Sequence, residues 1–382
     1  MPNLSGELVL PGLVDVHAHL REPGNNHAET IASGTRAALM GGYALIGDMP
    51  NTPGHPTWSE ERLLEKHEIA KRTAYIPTTF HAGSQPSSDN VGELEKMANL
   101  SLWLKLYGAP TTGNTRDYEA REFKDIASEW HRVAPDKPIG LHAGKNNLED
   151  MIGLVAGDLN HPLHIHHVST RREVQLSQAA KDRDLPITSG VCPHHLLKTS
   201  HDVRSEGWFA RMQPPLTDQA EAEELMHYLA NGYIDIIETD HAPHSIKDKQ
   251  EAELDNPNGV QDAERHITCF GVPGIEFAAP LMFYQVKRGH ISMERVVEAM
   301  STRPAELMGI AIDPATTVRW DMSEYRIGSD SEAMSASSWT PYLGKLAVGK
   351  IEAFELRGRR LISLYDNVVK APEVVTQRGT VV

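Results

Sequence analysis

The pair His17-Ala18-His19 closes the apolar run Leu13-Val14-Asp15-Val16. Side chains alternate along a strand, so Leu13, Asp15, His17 and His19 share one face, and two imidazoles spaced this way reach one metal ion. Lys105 lies inside Leu102-Trp103-Leu104-Lys105-Leu106-Tyr107, where an ammonium loses its hydration with no local counter-charge. Two chemistries answer that cost. The lysine snorkels outward or pairs with a distant carboxylate, which the local run by itself favours. Alternatively, burial depresses its pKa until the neutral amine takes up carbon dioxide, giving an anionic carbamate able to bridge two cations. His142 ends Gly140-Leu141-His142. In Leu163-His164-Ile165-His166-His167-Val168, alternation sets Leu163, Ile165 and His167 on one face and His164 and His166 on the other. Asp240 ends Ile234–Asp240 and leads into His241-Ala242-Pro243-His244.

Each of these residues alone is more often a hydrogen-bonded core or surface group than a ligand. As a set they are harder to dismiss, because the elements carrying them repeat. Strand-like runs at 13–19, 43–49, 74–80, 102–107, 138–142, 163–168, 185–191 and 234–240 alternate with helical patterns at 28–40, 60–71, 91–99, 117–133, 147–155, 171–183 and 218–230. Eight such alternations predict an α/β fold, a (β/α)8 TIM-like barrel over residues 13–308. Short strand patterns at 319–327, 347–354 and 357–364, joined by residues 1–12, predict a small β appendage from segments 1–12 and 309–382. The charged stretch 245–268 reads as a loop over one barrel end. Barrel sites gather at the C-terminal ends of the strands, where His17, His19, Lys105, His142, His167 and Asp240 all fall. Nitrogen and oxygen donors without cysteine suit zinc best among divalent ions.

Composition narrows the function. The chain has 382 residues, 40% of them hydrophobic, with 37 Lys+Arg against 52 Asp+Glu and a net charge of −15. That balance, with no basic cluster, argues against nucleic acid. No apolar run approaches the ~18 residues needed to span a membrane. The polar N-terminus does not read as a signal peptide, and two cysteines suit a reducing cytoplasm.

The motifs resemble those of the dihydroorotases of the amidohydrolase superfamily. Pro11-Gly12-Leu13-Val14-Asp15-Val16-His17-Ala18-His19-Leu20-Arg21-Glu22-Pro23-Gly24 is similar to their opening motif. The likeness continues through Met49-Pro50-Asn51-Thr52, Lys105-Leu106-Tyr107, His167-Val168-Ser169-Thr170, Pro193-His194-His195-Leu196, Asp240-His241-Ala242-Pro243-His244 and Trp339-Thr340-Pro341. The short start before His17 resembles the dihydroorotase domain of the animal multifunctional pyrimidine protein more than it does many bacterial enzymes, whose N-terminal β segment is longer. The resemblance implies two divalent metal ions, zinc foremost: His17, His19 and Asp240 on one, His142 and His167 on the other, and Lys105, carbamylated, between them. It implies that Arg21, Asn51 and His244 bind substrate, the first two at its carboxylate. It also implies that Asp240 carries the proton between water and the ring nitrogen as N-carbamoyl-L-aspartate and L-dihydroorotate interconvert in pyrimidine biosynthesis.

Arg21, just past the strand end, can grip a carboxylate with two parallel hydrogen bonds, which separates this reading from a hydantoinase- or allantoinase-like hydrolase. A catalytically silent scaffold is the third reading; such relatives lose ligands, whereas all six positions are filled here. A homodimer and an aspartate transcarbamoylase partner are the associations the resemblance admits. Some relatives hold an extra zinc through an acid before Pro-His-His. Gly190 stands there, so that site is not expected and His194 and His195 read as structural. Thr111 and Thr112 read as substrate-loop contacts or a plain turn, and Gln213 stands where the family usually places Asn or Arg.

Overall fold

The computed structural model describes residues 6–85, 87, 89–109, 111, 120–142, 147–256, 269–328 and 333–363. Strands β1 (Glu7–Pro11), β2 (Leu13–Ala18), β3 (Tyr43–Asp48), β4 (Thr78–Phe80), β5 (Ala82–Gly83), β6 (Leu104–Tyr107), β7 (Ile139–His142), β8 (Leu163–Ile165), β9 (Ile187–Val191) and β10 (Ile236–Ile237) precede β11 (Thr317–Arg326), β12 (Leu346–Leu356) and β13 (Arg359–Ser363). Every residue of β2, β3, β6 and β7 is buried, as expected of parallel strands covered by helices outside and packed side chains inside.

Two parallel ladders, β2-β3-β4 and β5-β6-β7-β8-β9-β10, make the barrel wall. β4 and β5 are one strand interrupted at His81. The His81 amide donates to the Asp48 carbonyl at 3.0 Å, and the Ala82 amide donates to the Trp103 carbonyl at 3.0 Å, so the chain exchanges one neighbour for the other within a residue. The last seam closes where the His19 amide donates to the His241 carbonyl at 2.8 Å, beside a parallel bridge between Ala18 and His241. The result is the expected closed barrel, with ladders shorter than the apolar runs that encode them.

Capping chemistry sets several helix starts. Thr30 caps Ile31–Met40 and Thr170 caps Arg171–Lys181, each in a reciprocal box with the residue three positions on, Ser33 and Glu173. Gly42, at φ +86°, turns the chain out of the first helix and leaves room for the Trp320 indole, which a β-carbon there would meet at 2.5 Å. Trp320 belongs to the separate antiparallel sheet β1-β11-β12-β13, built from both chain ends as expected. It lies 1% exposed against Phe283, ring centres 5.1 Å apart, fastening that sheet to the barrel.

Some stretches depart from expectation. Residues 246–255 form a helix, Ile246–Asp255, capped by Ser245 and Asp248, rather than a loop; the rest of that loop, 257–268, falls outside the described residues. Its one buried residue is Lys249, whose ammonium donates to the carbonyls of Trp208 (2.9 Å), Arg211 (3.3 Å) and Cys269 (2.7 Å). A helix anchored by a lysine has no apolar stripe to betray it. Helix Ala278–Arg288 was not among the expected helices either; all of it but Tyr284, Lys287 and Arg288 is buried.

Candidate metal centre

Strand β2 delivers Asp15 and His17 to the barrel axis. Asp15 accepts hydrogen bonds from the amides of His17 and Thr239, both at 3.1 Å, and from the Thr239 hydroxyl at 2.5 Å. It thereby joins strand one of the barrel to strand eight. Burial pushes its carboxyl up to about 7. Just above, His17 Nε2 lies 3.3 Å and His19 Nε2 3.0 Å from Asp240 Oδ1. Across the axis, His142 Nδ1 lies 2.9 Å from His167 Nε2, and the His17 and His167 rings are 5.2 Å apart. Donor atoms of His17, His167 and Asp240 all fall within 4.8 Å of one another.

Lys105 faces the same space. Its ammonium nitrogen is buried, and it has no hydrogen-bond partner among the described residues. Burial lowers its pKa to about 7, which leaves much of the amine neutral. Burial also holds His17, His19 and His167 far below the ordinary histidine range and His142 at about 3, so all four imidazoles are neutral and offer lone pairs. Asp240 moves the other way, up to about 8 by burial, partly opposed by the Lys105 charge. An unpaired buried amine beside four neutral imidazoles and an aspartate is a donor set that fits divalent cations.

The backbone pays a local penalty to aim these groups. His167, Asp240 and Arg21 adopt left-handed φ values of 40°, 43° and 58°, uncommon for residues other than glycine. At His167 this corrects the reading from alternation. The β8 ladder ends at Ile165, and the turn brings both His166 and His167 to the axis, with ring centres 4.5 Å and 5.2 Å from His17.

Glu238 was missed. Its carboxylate, 0% exposed, lies 2.7 Å from His166 Nδ1, 3.4 Å from His17 Nδ1 and 3.7 Å from His164 Nε2, and accepts from the His167 amide. A carboxylate 3.4 Å from His17 Nδ1 favours the proton on that nitrogen, leaving Nε2 as the lone pair facing Asp240. Only the tertiary structure pairs this acid with Gly190 on the adjacent strand, where a β-carbon would meet the Glu238 carboxylate at 2.8 Å. Asp48 was also missed. It accepts from the Leu20 amide at 2.7 Å and from Lys66 at 2.5 Å, fixing the turn that presents Arg21.

Arg21 is 1% exposed, so its guanidinium is turned into the molecule rather than out to the surface. Its Nε donates to the Pro243 carbonyl at 3.3 Å and its Nη2 lies 3.5 Å from His244 Nε2, while Nη1 has no partner among the described residues. Burial lowers even this guanidinium, to about 10, so the site wants an anion. Arg21, Asn51, Thr111 and Gln213 line one cavity with His17, His19, Lys105, His142, His167 and Asp240. Thr112 falls outside the described residues. A larger groove lined by Leu197, Met226 and Gln285 opens elsewhere and contains none of these groups.

Residues 8–313 match the family model described as "Amidohydrolase family". The chain is 30% identical to a dihydroorotase of Acetivibrio thermocellus, over 98% of this chain and 88% of that one. It is 31% identical to the multifunctional protein CAD of Squalus acanthias, over 95% of this chain but 15% of that protein's length. In structure it is similar to the L-hydantoinase (dihydropyrimidinase) from Arthrobacter aurescens, with a TM-score of 0.83, 23% identity and coverage of 95% and 87%, a likeness of fold. Among the described residues no helix is long and apolar enough to cross a membrane. The chain belongs to the amidohydrolase family, among its dihydroorotases.

Proposed function

We propose that the protein interconverts N-carbamoyl-L-aspartate and L-dihydroorotate at the cavity where β2, β6, β7, β8 and β10 end. One observation carries this choice over other cyclic amides: the buried Arg21 guanidinium faces the ligand cluster with Nη1 unmatched among the described residues. An uncompensated buried cation is costly, and a ring carboxylate supplies the missing charge.

In this reading His17, His19 and Asp240 would hold one divalent cation, His142 and His167 would hold a second, and Lys105, as its carbamate, would be a ligand at the same centre. Bound there, such cations, zinc foremost, would polarise an amide carbonyl and make water nucleophilic near neutral pH. The chain's own groups do the rest. Arg21 and Asn51 hold the carboxylate and thereby orient the scissile ring amide, with His244 beside Arg21 as a further contact. Asp240 takes a proton in ring opening and returns it to the leaving nitrogen; ring closure runs the same transfers backwards. Glu238 keeps His17 in one tautomer throughout. The acidic surface does not conflict with an anionic substrate, because Arg21 and the cations set the field inside the cavity.

The test is a substrate panel on metal-replete protein. Turnover of dihydroorotate that is lost on chelation and restored by zinc is the expected result. Turnover of hydantoin or allantoin without dihydroorotate overturns the assignment, and inactivity of fully loaded protein favours the scaffold. The relative embedded in a multifunctional protein supports testing self-association and binding to aspartate transcarbamoylase by light scattering.

A further inference from the structure

Beside this cavity, at the end of β9, stands a second group of donors that the proposed reaction does not use. Cys192, His194 and His195 are 0%, 1% and 2% exposed, and their ligating atoms lie within 4.8 Å of one another. His195 Nε2 lies 3.1 Å from the Pro214 carbonyl. A carbonyl only accepts, so the proton is on Nε2 and Nδ1 is a lone pair; it has no partner among the described residues. His194 is more unusual, because both of its ring nitrogens are buried and neither has a partner among the described residues. Leaving a buried imidazole N–H and its lone pair unmet is costly, because each group gives up water without gaining a partner. Burial keeps both imidazoles neutral, so each offers a ligand lone pair. The nearby cation, Lys198, is already matched: its ammonium lies 2.8 Å from both oxygens of Glu206 and 2.9 Å from the Pro341 carbonyl.

We infer that Cys192, His194 and His195 form a third metal site, separate from the centre at Lys105, that takes a borderline-to-soft ion such as zinc. One sulfur and two nitrogens satisfy three positions of a tetrahedral ion and leave the fourth for water. On binding, the Cys192 thiol gives its proton to solvent and the sulfur becomes the anionic ligand. Gly190 had suggested that no additional ion binds near this motif. These donors come instead from the motif itself, and a Cys in the strand-end position completes the set. Because His195 is also tied to Pro214, the ion would brace the segment that presents Gln213 to the substrate cavity.

Stripping the full-length chain of metal and reloading it with cobalt(II) tests the assignment. Wild type is expected to bind one ion beyond the two-ion centre and to show a thiolate-to-cobalt charge-transfer band in the near ultraviolet. Cys192→Ser removes the band and one equivalent of cobalt, while Cys269→Ser retains both. Lys105→Ala, aimed at the other centre, retains the band, which separates failure of this site from failure of the proposed active site. His194→Gln keeps the thiol and removes the band, covering the case in which Cys192→Ser does not fold. Fully loaded wild type without the band overturns the proposal and assigns the His194 nitrogens to ordered water.

Discussion

At the scale of the residue, the site depends on groups whose burial changes their chemistry. Burial by itself pushes the Asp240 carboxyl up to about 8 against the attraction of Lys105, whereas a cation held there would favour the carboxylate, the form able to accept a proton and give it back. Asp240→Asn keeps the shape and removes the proton carrier. Turnover is expected to fall by about 10²–10⁴-fold with the unfolding midpoint little changed, measured by steady-state kinetics beside thermal unfolding. Arg21→Lys keeps a charge but loses the fork. The KM for dihydroorotate is expected to rise about 10- to 100-fold, with a smaller effect on kcat. An unchanged KM removes the carboxylate argument on which the substrate assignment stands.

At the scale of the element, the strand ends matter more than the strands. β8 and β10 stop at Ile165 and Ile237, and the left-handed residues just beyond them turn His167 and Asp240 into the cavity. Neighbouring strands divide the space between them. Glu238 on strand eight of the barrel fills the room that Gly190 on strand seven leaves empty, and from there its carboxylate reaches His17, His166 and the His167 amide. Gly190→Ala should therefore act on the ligands without touching them. A cost of about 1–3 kcal/mol in urea unfolding is expected, together with metal affinity about 10- to 100-fold weaker by titration with a chromogenic chelator. A variant neutral in both measurements shows that the Glu238 side chain has room to move and does not position His17.

At the scale of the whole molecule, two carboxylates fasten the segment 334–336 to the barrel. Glu276 accepts from the amides of Met334 (2.8 Å) and Ser335 (2.9 Å). Glu29 accepts from the Ala336 amide at 3.0 Å, and lies 2.5 Å from the Ser335 hydroxyl and 3.2 Å from His241 Nε2. Burial pushes the Glu276 carboxyl up to about 7, opposed by the Met334 and Ser335 amides and reinforced by the charge of Glu29. The unfolded chain releases that proton near the ordinary glutamate value, below pH 5. Between those values the native state binds more protons, so this group's contribution to stability is whole at low pH and is lost as pH rises through about 7. Glu276→Gln cannot ionise. Relative to wild type it should gain on the order of 2 kcal/mol between pH 5 and pH 8, read from urea midpoints at the two values. An identical gap at both pH values assigns the carboxyl an ordinary titration.

The sequence by itself determined the barrel, because eight apolar runs separated by helical stretches have one economical closure, and the unusual polar residues fell at the same end of those runs. It also determined the chemical character of the cavity, since His17, His19, Lys105, His142, His167, Asp240 and Arg21 are awkward to bury except around cations and an anion. Alternation failed at His166 and His167, where a left-handed backbone ends the strand and period two no longer applies. Glu238, Asp48 and the match between Glu238 and Gly190 were not legible either, nor was the helix anchored by Lys249. Their partners lie on other elements, and only the tertiary structure decides which side chain occupies the room another leaves.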